Sequence, residues 1–303
     1  MYSTSHKIST LRRAKAQAVV NMSPAMVQLL RSKKTPKGDA LEVARTAGLI
    51  AAKRTSELIP HCHPIPIDQI TIDFDLHDSG EVTVFTTVTT LWKTGVEMEA
   101  LVGAQIAAAT LFDMLKPVSS EMEITNIRVL EKEGGKTSFH EDLPENFKAA
   151  VIVTSDGTAA GHRQDTSGQI IKERLETYIG ERCEYIILPD EKKLIKEALC
   201  KLAEQGCHLV MTTGGTGLGP RDVTVEATKE VIDREIPGIM EAARAFGQER
   251  TPYAMLSRGV AGLKGKTIII NLPGSSRGTE ESMSALFPAI LHSYKMMAGG
   301  GHP

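Results

Sequence analysis

The sequence predicts two domains of different class, an α+β domain followed by an α/β domain built on a parallel sheet. Three observations carry this reading. Apolar and polar residues alternate over residues 70–76 and 82–91, with His77-Asp78-Ser79-Gly80 between them, the pattern of an antiparallel hairpin. Beyond a short polar linker, residues 141–146 with Pro144, apolar runs alternate with amphipathic segments of helix length, as in β-α units with parallel strands. Finally, 303 residues suffice for two cores.

Composition narrows the function classes. A net charge of −2, with no basic stripe and no aromatic platform, argues against a nucleic-acid or membrane partner. No apolar run approaches membrane-spanning length and the N-terminus lacks a signal-peptide core. Cys62, Cys183, Cys200 and Cys207 share no metal-ligand spacing, which fits a reducing cytoplasm.

Residues up to about Arg12 are polar and read as loose. A helical pattern runs through Ala14, Val19, Met22 and Leu30, interrupted near Pro24. Asp39, in Lys37-Gly38-Asp39, is the expected N-cap of an alanine-rich helix over residues 40–58, with Glu42 completing a capping box and Ile59-Pro60 ending it. His61-Cys62-His63-Pro64 reads as extended. Alternation sends His61 and His63 to one side and Cys62 to the other, which favours a catalytic or hydrogen-bonding His63 over a shared metal ion. After the hairpin, Lys93-Thr94-Gly95 leads into a helix over residues 97–115. It opens with Glu97 and Glu99, and Pro117 stops it; Asp113 and Lys116 share a face near its end, as a surface ion pair or a catalytic pair. A strand over residues 124–130 precedes Gly134-Gly135-Lys136. Helices on one face of an antiparallel sheet make this half α+β. Lys37, Lys53, Lys93, Lys116 and Lys136 would, if gathered, suit a polyphosphate.

The second half starts with a strand over residues 149–154 that ends in Ser155-Asp156. A loop over residues 157–165 and a helix over residues 167–179 follow, with Gly180 as C-cap. A strand over residues 185–188 leads to Pro189-Asp190 and a helix over residues 191–205. The next strand, residues 207–211, opens into Thr212-Thr213-Gly214-Gly215-Thr216-Gly217-Leu218-Gly219-Pro220-Arg221-Asp222, with Thr224 as N-cap of a helix over residues 225–235. A helix from Pro237 to about Phe246, a strand over residues 267–271, the loop Leu272-Pro273-Gly274-Ser275-Ser276 and a helix over residues 279–296 complete the chain, in a parallel sheet with helices on both faces.

A glycine-dense turn between a buried strand and a helix aims several N–H groups at one point and so suits an anion; a flexible surface turn is the alternative. It is not a Walker loop, because Pro220-Arg221 stands where Lys-Ser/Thr is needed. Nor is it the dinucleotide fingerprint, because one residue separates Gly217 from Gly219. Asp156, Asp190, Asp222 and the 272–276 loop fall just past strand C-termini, the edge where such sheets bind ligands. Carboxylates beside a phosphate loop suit Mg2+ carrying a nucleotide, whereas each aspartate alone could simply cap a helix.

The first half resembles the MoaC family, the cyclic pyranopterin monophosphate synthases of molybdenum-cofactor biosynthesis. The matching motifs are Lys37-Gly38-Asp39, Lys53-Arg54-Thr55, residues 58–64, residues 93–101, Asp113-Met114-Leu115-Lys116 and Gly134-Gly135-Lys136. The resemblance spans roughly residues 8–138 and places a first domain over residues 1–140. It implies a ferredoxin-like fold, a hexamer, and a cyclic GTP-derived substrate, 3′,8-cyclo-7,8-dihydroguanosine triphosphate, rearranged with release of pyrophosphate. Lys37, His63, Glu97, Glu99, Asp113, Lys116 and Lys136 fall on the family's active-site positions, with Cys62 and Met98 in the substrate-binding motifs. The implied roles are an acid/base pair of Lys116 with Asp113, substrate orientation by Lys37, and phosphate contacts from His63 and Lys136. One departure is the N-terminus: the family usually begins with a Met-Val-Asp-Val strand, and this chain begins Met1-Tyr2-Ser3-Thr4-Ser5-His6, as if an edge strand were shortened or replaced.

The second half resembles the MogA/MoaB family, the molybdopterin adenylyltransferases, with a Rossmann-like, molybdopterin-binding α/β domain over residues 148–303 and a match over roughly residues 148–296. The resemblance rests on Val153-Thr154-Ser155-Asp156, Asp165-Thr166-Ser167-Gly168, Pro189-Asp190, residues 212–224 and Asn271-Leu272-Pro273-Gly274. It implies Mg-ATP and molybdopterin as ligands, AMP transfer to the pterin's phosphate, and a trimer. Asp190 and Asp222 match the catalytic aspartates and would hold Mg2+; Ser155, Asp156, Gly214, Gly215, Thr216, Gly217, Pro273, Gly274 and Ser275 would bind substrate. No tightly bound cofactor is implied. Together the resemblances point to a bifunctional homo-oligomeric enzyme whose two steps are separated by insertion of two sulfurs. The alternative is a second domain that only binds pterin as a scaffold; a generic kinase is disfavoured by the missing Walker lysine.

Overall fold

The computed structural model describes residues 1–139 and 143–299, with Lys136 and Thr137 in backbone only. The chain divides into two compact units, Met1–Phe139 and the remainder from residue 140. Glu141, at the start of the expected linker, lies outside the described residues.

The first unit runs β1 (Thr10–Asn21), α1 (Pro24–Arg31), α2 (Ala40–Lys53), α3 (Thr55–Leu58), β2 (Gln69–His77), β3 (Glu81–Trp92), α4 (Glu97–Leu115) and β4 (Glu123–Glu133). The sheet order is β2-β3-β1-β4, and every neighbouring pair is antiparallel. The hairpin and α4 stand where the sequence places them.

One expectation fails: residues 14–21 are not helical but belong to β1, an interior strand. Ala14, Ala16, Ala18 and Val20 are buried at every second position, the period of a strand. α4 crosses that face, and small side chains let it come close. Alanine's helix propensity is overridden by pairing on both edges. The helix begins only at Pro24, where Ser23 accepts a hydrogen bond from the Met26 N–H. Residues 1–9 contain no strand.

Asp39 caps α2 through the Glu42 N–H at 3.4 Å, but the Glu42 carboxylate turns to Arg45, so only half of the capping box forms. The single helix expected over residues 40–58 is broken at Arg54 into α2 and α3. By length and composition α4 would be apolar enough to cross a membrane, which corrects the reading that no run approaches that length. Here it is a core helix: Ala100, Ala104, Ala107, Ala108 and Leu111 are fully buried against the sheet and α2.

The second unit runs β5 (Ala149–Thr154), α5 (Asp156–Ala159), α6 (Ser167–Ile179), β6 (Cys183–Leu188), α7 (Lys192–Glu204), β7 (Leu209–Thr213), α8 (Thr224–Lys229), β8 (Arg234–Glu235), α9 (Pro237–Gln248), β9 (Ala261–Lys264), β10 (Thr267–Leu272), α10 (Ser276–Leu286) and α11 (His292–Met297). The sheet order is β6-β5-β7-β10-β9-β8. The first four strands are parallel, while β9 and then β8 extend one side antiparallel, so the sheet is mixed rather than wholly parallel. One apolar layer gathers Ile171, Leu175, Ile239, Met240 and Met283; the other gathers Ile195, Leu199, Leu202, Ala227 and Val231.

Three details differ from expectation. α8 stops at Lys229, and Arg234–Glu235 pairs with β9 instead of continuing the helix. The last helix is split at Phe287. Thr224 is the first residue of α8, not its cap, and its hydroxyl faces Thr154 Oγ1 at 3.0 Å.

The α2–α4 crossing yields a test in which two effects compete. Alanine at Gly48 would gain about 1 kcal/mol of helix propensity. Its Cβ would also stand 2.8 Å from the Gly103 carbonyl oxygen and 2.5 Å from Ile72 Cδ1. The clash wins, so Gly48→Ala should lose a net 1–3 kcal/mol, roughly, in urea unfolding. A gain in stability would mean that the helices do not touch there.

Candidate functional site

In the first unit the helix-terminal residues form one charged chain. Lys37 Nζ lies 2.9 Å from Asp113 Oδ2 and donates to the Asp113 carbonyl at 2.8 Å, while Lys116 Nζ lies 2.7 Å from Asp113 Oδ1. The ammonium groups of Lys116 and then Lys37 hold the Asp113 carboxyl down to about 2. Asp113 is therefore a fixed anion that keeps two cations side by side, and two of the five candidate lysines gather there.

A second group sits at the other end of α4. Glu99 is buried (4% exposed), and burial, with a smaller push from Glu97, raises its carboxyl to about 6. Burial and then Glu99 raise the Cys62 thiol. His63 and Met98 are half-buried beside these residues in sequence. Glu97 lines a 340 Å³ cavity with Arg12, Thr94, Gly95, Gly134 and Gly135. Arg12 donates to the Trp92 and Lys93 carbonyls. The sequence reading misses Arg12 because it leaves the chain up to about Arg12 as a loose polar segment; a strand reading would have aligned Arg12 with Thr90. The Lys136 side chain lies outside the described residues. Among the described residues no three ligating groups could hold a metal, so the His61-Cys62-His63 segment gains no metal reading.

These two groups do not meet within one chain. From Glu99 to Asp113 along α4 is about 20 Å at 1.5 Å per residue.

In the second unit the loops after β5, β6, β7 and β10 converge as the sheet topology requires. Gly214 and Gly215 have φ +98 and +61, and a Cβ on either would come within 2.2 Å of Thr154 O or Thr224 Oγ1. Only glycine lets the loop lie down on the end of β5. Arg258 then gathers its carbonyls: Nε donates to Gly217 O at 2.7 Å, Nη2 to Asp222 O at 2.8 Å, and its own N–H to Thr216 O at 3.1 Å, while Glu226 pairs with the guanidinium. Among the described residues nothing accepts from the N–H groups of Gly215, Thr216, Gly217 or Leu218. The result is an anion nest with its carbonyls held away. Arg258 escapes the sequence reading because it lies 41 residues from Gly217, outside every motif.

The Asp222 carboxylate accepts the Gly219 N–H at 2.7 Å and lines a 430 Å³ cavity with Gly215, Thr216 and Gly217. Gly274 and Ser275 divide this cavity from a 350 Å³ neighbour lined by Ser155, Thr166 and Gly214; Pro273 lines the larger one. The Ser155 and Ser275 hydroxyls cap α5 and α10. Asp165, from a matching motif, caps α6 by accepting the Gly168 and Gln169 N–H groups at 3.1 Å.

Asp156 and Asp190 lock together, each backbone N–H donating to the other's carboxylate at 3.0 Å. The Arg221 guanidinium forks onto Asp156 and lowers its pKa. Burial raises that of Asp190, whose Oδ1 is buried without a partner.

Comparison with known proteins agrees with both halves. Residues 1–135 match the model of the MoaC family, and residues 150–292 match that of the "Probable molybdopterin binding domain". A molybdenum cofactor biosynthesis bifunctional protein of Chlorobaculum tepidum is 41% identical over all of this chain and 96% of its own length. The chain belongs to the molybdenum cofactor biosynthesis bifunctional proteins. Both resemblances read from the sequence therefore hold at family level. The MoaC match begins at residue 1, so the atypical opening lies inside it. A cyclic pyranopterin monophosphate synthase of Pelobacter propionicus is 46% identical over 46% of this bifunctional chain and 88% of its own length. The solved structure of the molybdopterin biosynthesis enzyme MoaB from Thermus thermophilus is 44% identical, covers 50% of this chain and 97% of that one, and has a TM-score of 0.46.

Glu99 makes a pH prediction. A raised folded pKa means that the native state holds the proton more tightly than the unfolded chain. The stabilisation is thus present below 4.5 and lost as pH rises through about 6. Between those limits wild type should lose roughly 2 kcal/mol relative to Glu99→Gln, read from unfolding at a series of pH values. Parallel profiles would show that Glu99 is not protonated in the fold.

Proposed function

We propose that the first unit converts 3′,8-cyclo-7,8-dihydroguanosine triphosphate to cyclic pyranopterin monophosphate, releasing pyrophosphate, and that the second unit adenylylates molybdopterin with Mg-ATP. For the first reaction the Lys37–Asp113–Lys116 chain is the main support, together with the name carried by the Pelobacter relative. The β-α-β-β-α-β order of this unit is that of a ferredoxin-like domain. With its carboxyl held near 2, Asp113 is a poor proton donor at neutral pH. It serves as the anion that positions the two cations. Lys116 is then the acid/base group and Lys37 orients the substrate, with His63 and Lys136 on the phosphates.

A polyphosphate substrate must meet both residue groups, yet about 20 Å of α4 separates them in one chain. The site is accordingly shared: one copy supplies Lys37, Asp113 and Lys116, and a second supplies Arg12, Cys62, Glu97 and Glu99. A homo-oligomer, trimer or hexamer, provides that arrangement. Lys116→Ala should lower turnover ~10²–10⁴-fold. Lys116→Ala and Glu97→Ala chains, inactive separately, should regain turnover when co-assembled. No recovery in verified mixed oligomers would place each site within one chain.

For the second reaction the support is the nest of free N–H groups beside paired aspartates. Asp190 and Asp222 fit magnesium: carboxylate oxygens suit a hard cation, and Asp190 Oδ1 is a buried acceptor without a partner. Bound there, the ion would offset charge on the ATP phosphates. The pterin's phosphate attacks the α-phosphorus, AMP is transferred and pyrophosphate leaves, while the loop N–H groups steady the phosphates. The test is transfer of labelled AMP from Mg-ATP to molybdopterin by the full-length chain. Transfer should be abolished in Asp222→Asn with pterin binding retained. Tight pterin binding without any transfer by wild type would instead make this unit a binding module.

A further inference from the structure

Arg221 has no place in the roles assigned so far, yet it is one residue from Asp222 at the end of the glycine loop. Its fork takes both oxygens of Asp156, Nε to Oδ2 at 3.0 Å and Nη2 to Oδ1 at 2.8 Å. Asp156 is in turn cross-bonded to Asp190, so one guanidinium balances a pair of adjacent carboxylates. The pair is open to solvent: the Arg221 side chain is 61% exposed and that of Asp156 is 49% exposed.

An exposed ion pair contributes little net stability, so it breaks at small cost. A guanidinium also fits a phosphate with the same two-point geometry as a carboxylate. Four unpartnered loop N–H groups already mark the neighbouring loop for an anion.

We propose that Arg221 exchanges partners during binding, leaving Asp156 for the triphosphate of the incoming nucleotide and so freeing Asp156 Oδ2 for the accompanying magnesium, while Oδ1 keeps the Asp190 N–H. The exchange rests on the adenylylation reading of this site. Without ligand, Arg221 occupies the cation's place and keeps the paired aspartates from repelling one another. With ligand, the same side chain becomes a phosphate contact. No covalent step is involved: one ion pair is traded for two, and the charge count at the loop end is unchanged until the nucleotide arrives.

The test is titration of ATP into the full-length chain by calorimetry, without magnesium and with it in excess. Arg221→Ala should weaken metal-free ATP binding about 10–100-fold, the loss of one bidentate charged contact. Arg221→Lys should fall between, since an ammonium keeps the charge and loses the fork. Asp156→Asn should act in the opposite direction: it keeps the acceptor for the Asp190 N–H, releases Arg221, tightens metal-free ATP binding several-fold and lessens the gain from magnesium. A static Arg221 that only anchors Asp156 predicts the same weakening in both variants, and that result would overturn the exchange. So would an Arg221→Ala chain that binds ATP as wild type does; in both cases nucleotide binding by wild type would leave the adenylylation reading standing. Wild type that binds no ATP even with magnesium would remove both.

Discussion

The constraint on which the second site depends is that the glycine loop must satisfy its carbonyls while leaving its N–H groups open. A buried, unpaired backbone group is costly, so a loop usually closes both sets on itself. Here Arg258 draws off the carbonyls of Thr216, Gly217 and Asp222, and Gly214 and Gly215 take positive φ beneath the end of β5. The N–H groups from Gly215 to Leu218 stay without an acceptor among the described residues. Glu226 keeps the arginine in place, so the nest is set from outside the loop, by residues on a helix and on the segment leading into β9. Thr154 and Thr224 add a hydroxyl pair that ties β5 to the first turn of α8. The shape of the loop is therefore set by the surrounding fold as much as by the glycines.

In the first unit a different constraint rules, the length of a rigid rod. α4 is continuous from Glu97 to Leu115 and buried along its length, so its two ends cannot approach each other. Its N-terminal turn carries a buried glutamate whose carboxyl is raised to about 6 by burial. Its C-terminal end carries an aspartate kept ionised by two lysines. The same residue class is tuned in opposite directions by burial at one end and by cations at the other. A packed helix thus keeps such unlike chemistry about 20 Å apart within one chain.

Much of this was legible in the sequence, and the exceptions share a cause. β5 and α6 are read residue for residue, and α4 from end to end, because periodicity, caps and breakers agree there. β1 is lost because its buried face is alanine, chosen for the close approach of α4, and alanine signals a helix locally. β8, at the sheet edge, and β9 beside it are short strands with little pattern; the Lys264-Gly265-Lys266 turn, with φ +57 at Gly265, is the signal that could have joined β9 to β10. The paired aspartates were placed correctly at the strand ends, since topology alone sends them there. Arg12 and Arg258 were not, because their parts are defined by neighbours 80 and 41 residues away.

Asp156, Asp190 and Asp222 show how far residue type alone underdetermines a role. All three follow parallel strands, yet one is neutralised by an arginine, one has a buried oxygen without a partner, and one ties down the glycine loop. Asp222 is already engaged by the Gly219 N–H and keeps one oxygen toward that contact. Asp190 is pushed toward protonation by burial and by both neighbouring carboxylates. The Arg221 guanidinium, with the Asp190 N–H, holds the Asp156 carboxyl below the usual carboxylate range. The three carboxylates share one arginine, which forks onto Asp156 and offsets part of the charge around Asp190.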